Sequence, residues 1–321
     1  MMDVVGVGAL NVDMFYEVPS LTVGGRTFEP GGEVYGEEAE FSKVTAELAK
    51  KAKLVSKSGG GSAANTVVAL SRMGYSTGFL GVTGKDDDGK FILRSMEGVE
   101  VSHVKKYKRS GQCISMLQQG ERSLLGLPNA NDYFSFNEDD MGFLNSSKFV
   151  HLSSFAADSG LMMQKQLVNL LDDEVYISFA PGERYARRGL KQISDLIGQT
   201  RILFVNEREV EMLTGSGPKE GSKILLDLGA AVVVCTRGEK GSHISTRTSE
   251  LDIPAKRTVV VDTTGAGDVY AAGFLAGFID GANLEECGEI ASAAAALSIA
   301  SYGRGSYPDE RFLRKYAREL S

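Results

Sequence analysis

Cysteine is scarce in this chain of 321 residues: Cys113, Cys235 and Cys287 are the only three, widely separated and without a CxxC spacing. An odd, scattered set speaks against a disulfide framework and reads as buried free thiols in a reducing cytosol. Histidine is equally sparse. His103, His151 and His243 lie far apart in the sequence, so neither a zinc site nor a histidine-based triad is suggested. No apolar run is long enough to cross a bilayer. The start, Met1-Met-Asp-Val-Val, lacks the basic opening and cleavage pattern of a secretory signal, and a cytoplasmic location is expected. Basic residues are not in excess, and a net charge of −7 speaks against a partner that is a nucleic acid or a membrane surface. What remains is an ordinary globular composition, 42% hydrophobic and 24% charged, at a length ample for a sizeable core. A small-molecule enzyme is the class left standing.

Two nucleotide-binding spacings are missing as well. Gly6-Val-Gly8 is followed by Asn11 where a dinucleotide fingerprint needs its third glycine, which weakens a nicotinamide-enzyme reading. Gly84-Lys-Asp-Asp-Asp-Gly89-Lys90 has the length of a P-loop, but Phe91 replaces the magnesium-binding hydroxyl and three aspartates would repel phosphate. It reads as a structural turn.

The most informative stretch present is Asp262-Thr-Thr-Gly-Ala-Gly-Asp268, followed by the apolar run Val269 to Phe278. The β-branched run Thr258-Val-Val-Val261 before it predicts a strand, then a glycine turn, then a buried helix. Such a turn aims the first N–H groups of a helix at an anion. Asp268 is the odd member. It is either a helix cap or a base that takes a proton from a hydroxyl beside a transferring phosphoryl group, and the segment alone leaves both open.

Elsewhere strand and helix patterns alternate. Strands are predicted at Asp3 to Ala9, Thr77 to Val82, Phe149 to Ser153, Val175 to Phe179, Ile202 to Val205 and Ala231 to Thr236. Helices are expected at Ser62 to Met73, Gly89 to Met96 and Leu161 to Leu171, with three more closing the chain at about Gly265 to Asp280, Leu284 to Ser301 and Pro308 to Leu320. This is the pattern of an α/β fold, a doubly wound, mostly parallel sheet with helices on both faces. Gln112 to Gln118 and Ser123 to Leu127, separated by Gln119-Gly-Glu-Arg122, break the alternation and predict a hairpin projecting from the main body. Phe41, Val44, Leu48 and Ala52 predict an amphipathic surface helix within Glu37 to Lys57.

Ligands in such sheets sit at the carboxyl ends of strands, so the polar residues there carry the candidates. Asn11 and Asp13 follow the first strand and suit hydroxyl recognition, or a plain turn. Gly60, Gly61 and Asn65 open a helix and would admit a polyhydroxy ligand, or form a loop. Asn206 and Glu209, three apart, suit a hydrated Mg²⁺ or equally an N-cap with its capping-box partner. Thr236, Gly238 and Gly241 suit nucleotide phosphates or ribose, or an ordinary hairpin turn.

In their order and approximate spacing, these motifs resemble the ribokinase-like (PfkB-type) family of carbohydrate and nucleoside kinases over almost the whole chain. The resemblance implies one kinase domain over 1–321, with a small β-sheet lid at about 14–35 and 107–126 and an inserted helix at about 37–57. It implies an ATP-dependent enzyme that phosphorylates a CH₂OH group. Asp268 would be the general base, with the amides of Gly265, Ala266 and Gly267 as anion hole. Asn11, Asp13, Gly60, Gly61 and Asn65 would hold the acceptor. Asn206, Thr236, Gly238 and Gly241 would line the nucleotide site, with Glu209 serving Mg²⁺ through water. A monovalent cation such as K⁺ is implied near the signature turn, where Asp262, Thr264, Ser298, Gly303 and Ser306 are the candidate donors. A homodimer through the lid is expected.

Three departures stand out. The Asp13 to Gly60 segment is longer than in bacterial ribokinases. Ser153-Ser-Phe155 stands where ribose-specific members carry glutamate, and Ala180 replaces the aspartate that many relatives place before proline. The aromatics Phe15, Tyr16, Tyr133 and Phe134 are expected to pack in the lid or core rather than stack on a base. A catalytically inactive sugar or nucleotide sensor is the alternative reading, which the presence of Asp268 disfavours.

Overall fold

A ten-stranded sheet organises the molecule in the computed structural model, which describes residues 1–118 and 121–319. Across it the strands run Glu250–Ile253, Ser242–Ser245, Val232–Thr236, Ile202–Asn206, Tyr176–Ala180, Ser147–Ser153, Met2–Val7, Thr77–Thr83 and Val99–Glu100, and Val104–Lys106 also pairs with Thr77–Thr83. Only the two pairings made by Ser242–Ser245 are antiparallel. The strands expected for the alternating pattern are all found, with ends shifted by a residue or two.

Successive side chains on a strand face opposite ways, so each central strand feeds two cores. Val4 packs with the helices Ser62–Arg72, Ala266–Ile279 and Leu284–Ser298, while Val5 and Val7 pack with Asp158–Val168, Leu190–Gly198 and Glu207–Thr214 on the other face. Helix Ala266–Ile279 is buried over the whole stretch from Val269 to Gly277 and is apolar all round, as a helix enclosed by others must be. Gly273 lets it approach its neighbour closely: a Cβ there would sit 2.8 Å from Ala291 Cα.

From Met2–Val7 the main sheet grows outward to Thr77–Thr83 on one side and later resumes at Ser147–Ser153 on the other. This reversal leaves a crevice at the carboxyl ends of the two strands that flank it, the position where open α/β sheets bind ligands. Above it lies a second sheet of five strands in the order Glu33–Tyr35, Glu121–Leu127, Gly111–Gln118, Asn11–Glu17, Lys53–Gly60. Helix Glu38–Lys51 covers the outer face of this lid, burying Phe41, Val44 and Leu48 against Ile114, Met116 and Leu125.

Several expectations need correction. The run Thr258 to Val261 forms no strand: Val259 and Val260 are exposed, and the backbone N–H groups of Val261 and Asp262 both donate to Ile299 O. Its β-branched residues find no strand to pair with, and propensity without a partner does not make a sheet. The inserted helix ends at Lys51, because Lys53–Gly60 pairs with Asn11–Glu17 and becomes a lid strand. The lid therefore begins at Asn11 and includes 53–60, beyond the expected 14–35 and 107–126. The last helices are Leu284–Ser298 and Glu310–Glu319. The hairpin residues 119 and 120, and Leu320 at the end of the last helix, lie outside the described residues.

Phe15, Tyr16 and Phe134 are buried as expected, whereas Tyr133 is half exposed and packs on Tyr107, ring centroids 4.6 Å apart. The would-be P-loop is a turn held by Asp86, which accepts from the N–H groups of Gly89 and Ser110 at 2.9 Å each and caps helix Asp87–Arg94.

Candidate active site

Two helix N-termini meet in the crevice. Gly61, with φ of 109°, precedes helix Ser62–Arg72, and a Cβ there would lie 2.0 Å from Ala9 O, so only glycine brings the chain in this close. Gly265, with φ of 75°, precedes helix Ala266–Ile279, and no side chain caps that helix. The Ala266 N–H donates to Thr263 O at 3.2 Å, so Gly265 and Gly267 are the members of the expected anion hole with no backbone partner among the described residues.

Asp268 sits between the two termini. Its Oδ1 accepts from Ser62 Oγ at 2.6 Å and its Oδ2 from Asn65 Nδ2 at 2.8 Å. The carboxylate thus bonds to the neighbouring helix and does not cap its own. Thr66 Oγ1 donates to Asp268 O at 3.2 Å and ties the two helices together. Asn65 is oriented in turn by Arg304, whose Nε donates to Asn65 Oδ1 at 3.0 Å.

The lid supplies the opposite wall. Asp13 and Asn11 stand on the strand Asn11–Glu17, and Asn11 Oδ1 accepts from Asn131 Nδ2 at 3.1 Å. Gly60 is a glycine because the Asp13 carboxylate occupies the space of its side chain: a Cβ would fall 2.1 Å from Oδ2. Arg122, also on the lid, donates to Thr264 Oγ1 and so connects the lid to the signature turn.

Burial pushes both carboxylates up, Asp13 to about 7 and Asp268 to about 6, with the charges of Arg304 and Arg122 holding them lower than burial alone would. The bonds from Ser62 and Asn65 further restrain Asp268, which explains why it rises less. A half-buried carboxylate that ionises near neutrality, beside free helix amides, can take a proton from a hydroxyl and stabilise charge developing next to it.

On the far side, Asn206 and Thr236 are register neighbours at adjacent strand ends. Asn206 and Glu209 form a reciprocal capping box: Glu209 N–H donates to Asn206 Oδ1 at 2.8 Å, and Asn206 N–H and Nδ2 donate to the Glu209 carboxylate at 3.1 and 2.8 Å. Burial raises Glu209 to about 7, and Glu183, Asp268 and Glu33 add to the effect. Gly238 and Gly241 flank a short 3₁₀ turn joining antiparallel strands. Gly241 is required there by close backbone approach, since a Cβ would lie 1.9 Å from Ile253 O.

Around the signature turn, Asp262 Oδ1 accepts from Thr264 N–H and Oγ1 at 3.0 and 2.6 Å, while its Oδ2 is buried without a partner. Ser298 donates to Ala295 O at 2.8 Å in the last turn of its helix. Gly303 packs against Ser58, and no hydrogen bond brings Ser306 to Asp262 among the described residues. Ser153 Oγ accepts from Ala63 N–H at 3.0 Å, so the first serine of Ser153-Ser-Phe155 braces the helix that presents Asn65. Ser62, Arg122, Asn131 and Arg304 were not legible as site residues. Ser62 directly follows Gly60-Gly61 and its place as the first helical hydroxyl was the available signal, whereas Arg304 sits in an irregular segment with none.

A doubly wound sheet, a β lid and a carboxylate at a glycine-led helix start define a kinase of small hydroxylated molecules. The model of the pfkB family carbohydrate kinases matches residues 32–310. An uncharacterized sugar kinase of Archaeoglobus fulgidus is 34% identical over 243 residues, covering 74% of this chain and 96% of its own. An ATP-dependent ribose-1-phosphate kinase of Halopiger xanaduensis is 30% identical over 256 residues, covering 78% of this chain and 83% of its own. The crystal structure of adenosine kinase from Sinorhizobium meliloti superposes with a TM-score of 0.86 at 21% identity, covering 100% of this chain and 99% of that one. The chain belongs to the pfkB family of carbohydrate kinases, and its enzyme class is carbohydrate or nucleoside kinase.

Proposed function

We propose that this enzyme transfers the γ-phosphoryl group of ATP to a primary hydroxyl of a sugar or nucleoside, with Asp268 as general base. The observation that carries this reading is the Asp268 carboxylate held by Ser62 and Asn65 at the start of a helix whose Gly265 and Gly267 amides have no backbone partner. The acceptor hydroxyl would sit between Asp13, Asn11 and Asn65, within reach of Asp268. As the proton leaves, the Gly265 and Gly267 amides and the helix dipole favour the negative charge on the phosphoryl oxygens. Phosphoryl transfer asks chiefly for such positioning and charge stabilisation.

The nucleotide would lie over the ends of the strands Ile202–Asn206 and Val232–Thr236, along Asn206, Thr236 and the Gly238 to Gly241 turn. Mg²⁺ would neutralise phosphate charge when bound. Both Glu209 oxygens are engaged with Asn206, which fits a role through ordered water, and burial together with the nearby acids Glu183, Asp268 and Glu33 leaves its negative charge poorly compensated, which a bound cation would relieve. A monovalent cation fits Asp262, whose Oδ2 is buried and unpartnered. A homodimer would have to use the lid's edges, Lys53–Gly60 or Glu33–Tyr35, since helix Glu38–Lys51 already covers its outer face. An ATP-consumption screen over sugars, sugar phosphates and nucleosides tests the reading; no turnover with any acceptor favours the sensor alternative.

A further inference from the structure

Behind the strand that delivers Gly60 and Gly61 to the crevice lies an open cavity of about 590 Å³. None of Asp13, Ser62, Asn65 and Asp268 lines it, and its size is that of a small-molecule site. Lys57, Arg72, Arg94 and Arg304 contribute four cationic side chains to its wall, against one acid, Glu97. In a chain of net charge −7, such a concentration of positive charge is local design rather than composition.

The cations are unequally occupied. Lys57 pairs with Asp88 at 2.8 Å, and Arg72 donates to Arg304 O at 2.5 Å. Arg94 is exposed and makes no hydrogen bond or ion pair among the described residues. Arg304 is 8% exposed, yet its Nη2 has no hydrogen-bond partner. Leaving a guanidinium nitrogen buried and unbonded is costly, so the positive charge of Arg304 is only partly satisfied by its neighbours.

We propose that this cavity is a second ligand site, for a small phosphate-bearing molecule, and that Arg304 couples it to the catalytic carboxylate. Arg304 reaches both places. Its Nη1 donates to Ser95 O and Oγ in the cavity wall at 3.0 and 3.1 Å, while its Nε holds Asn65, which holds Asp268. An anion held in the cavity beside Arg304 offsets part of the positive field that Arg304 exerts on Asp268, so the carboxylate keeps its proton to higher pH. The other titratable groups facing Asp268 are Asp13 and Arg122 from the lid, Tyr307 beside Arg304, and Glu209 from helix Glu207–Thr214. None of these lines the cavity.

The test is calorimetric titration of inorganic phosphate, and separately of a monosaccharide phosphate, into the full chain and into Arg94→Gln and Lys57→Gln, with thermal melts to confirm folding. Binding at the signature turn is common to all three proteins and drops out of the comparison. The site predicts a component of binding weakened roughly tenfold or more in Arg94→Gln. Identical titrations in all three proteins, or no binding at concentrations on the order of 10 mM, overturn it. A preference for the sugar phosphate over the inorganic ion identifies an organic ligand, and equal binding identifies phosphate itself. The coupling rests on Asp268 being the base. It predicts that phosphate moves the acid limb of the pH–rate profile upward in the wild type and not in Arg94→Gln, and an unmoved limb with phosphate bound overturns it. Absence of kinase turnover with the Arg94-dependent binding intact would instead overturn the proposed function and leave the site standing.

Discussion

Asn65 donates to Asp268 Oδ2 at 2.8 Å, and this bond joins the starts of two helices that are some two hundred positions apart in the chain. It places the donor that orients the carboxylate on the helix that follows Gly60-Gly61 and the carboxylate itself at the start of the helix that follows the 262–267 turn. A carboxylate held this way is oriented in advance, and in the proposed role as base it would need little reorganisation at the moment of transfer.

Replacing Asp268 by Asn keeps the shape and removes the base. The expected outcome is a loss in kcat of roughly 10²- to 10⁴-fold, with acceptor affinity nearly unchanged in calorimetry. Turnover at the wild-type rate would remove Asp268 from the role.

The pH profile follows from the carboxylate being raised to about 6. The base works ionised, so kcat/KM should fall as the pH drops through about 6. The Ser62 hydroxyl favours the ionised form, and Ser62→Ala should therefore move that limb to higher pH. A limb that stays in place, or moves down, contradicts the assignment of this titration to Asp268.

Asp13 is raised from an ordinary 3.8 to about 7 by burial, so its ionised form opposes folding. Below 3.8 the group is protonated in both states and costs nothing; the cost grows as pH rises through this window and is complete above about 7. Asp13→Asn should accordingly raise the melting temperature at pH 8 relative to wild type much more than at pH 4, while weakening acceptor binding. Equal shifts at both pH values would show that the charge is not the cause.

Gly60→Ala forces a Cβ into the space of the Asp13 carboxylate, 2.1 Å from Oδ2. A rise in KM for the acceptor, larger than any fall in kcat, is expected with the fold retained by circular dichroism. Unaltered steady-state kinetics would place Asp13 away from the acceptor.

Much of the architecture was legible because its signals are local. Strand and helix periods along 77–82, 149–153, 175–179, 202–205 and 231–236 predict the alternation of the main sheet, and burial on both faces makes such runs strongly apolar. The glycine turn at 265–267 was visible for the same reason: positive φ and close approach demand glycine wherever the chain lies. Thr258 to Val261 shows the limit, since its β-branched residues predict a strand and the fold offers them no partner. Lys53 to Lys57 shows the converse. Those residues continue a helical, lysine-rich pattern, and pairing with Asn11–Glu17 makes them a strand.

The sequence by itself determined the layers, the turn that starts helix Ala266–Ile279 and the presence of an acid in its first turn, because these depend on residues within one or two turns of each other. The tertiary structure alone decided what that acid bonds to. Ser62, Asn65, Arg304 and Arg122 reach the site from four separate segments, and their effect on Asp268 is set by distances that no local pattern encodes. Capping its own helix would have needed only neighbours in sequence. Binding across to the facing helix needed the whole sheet to bring two N-termini together.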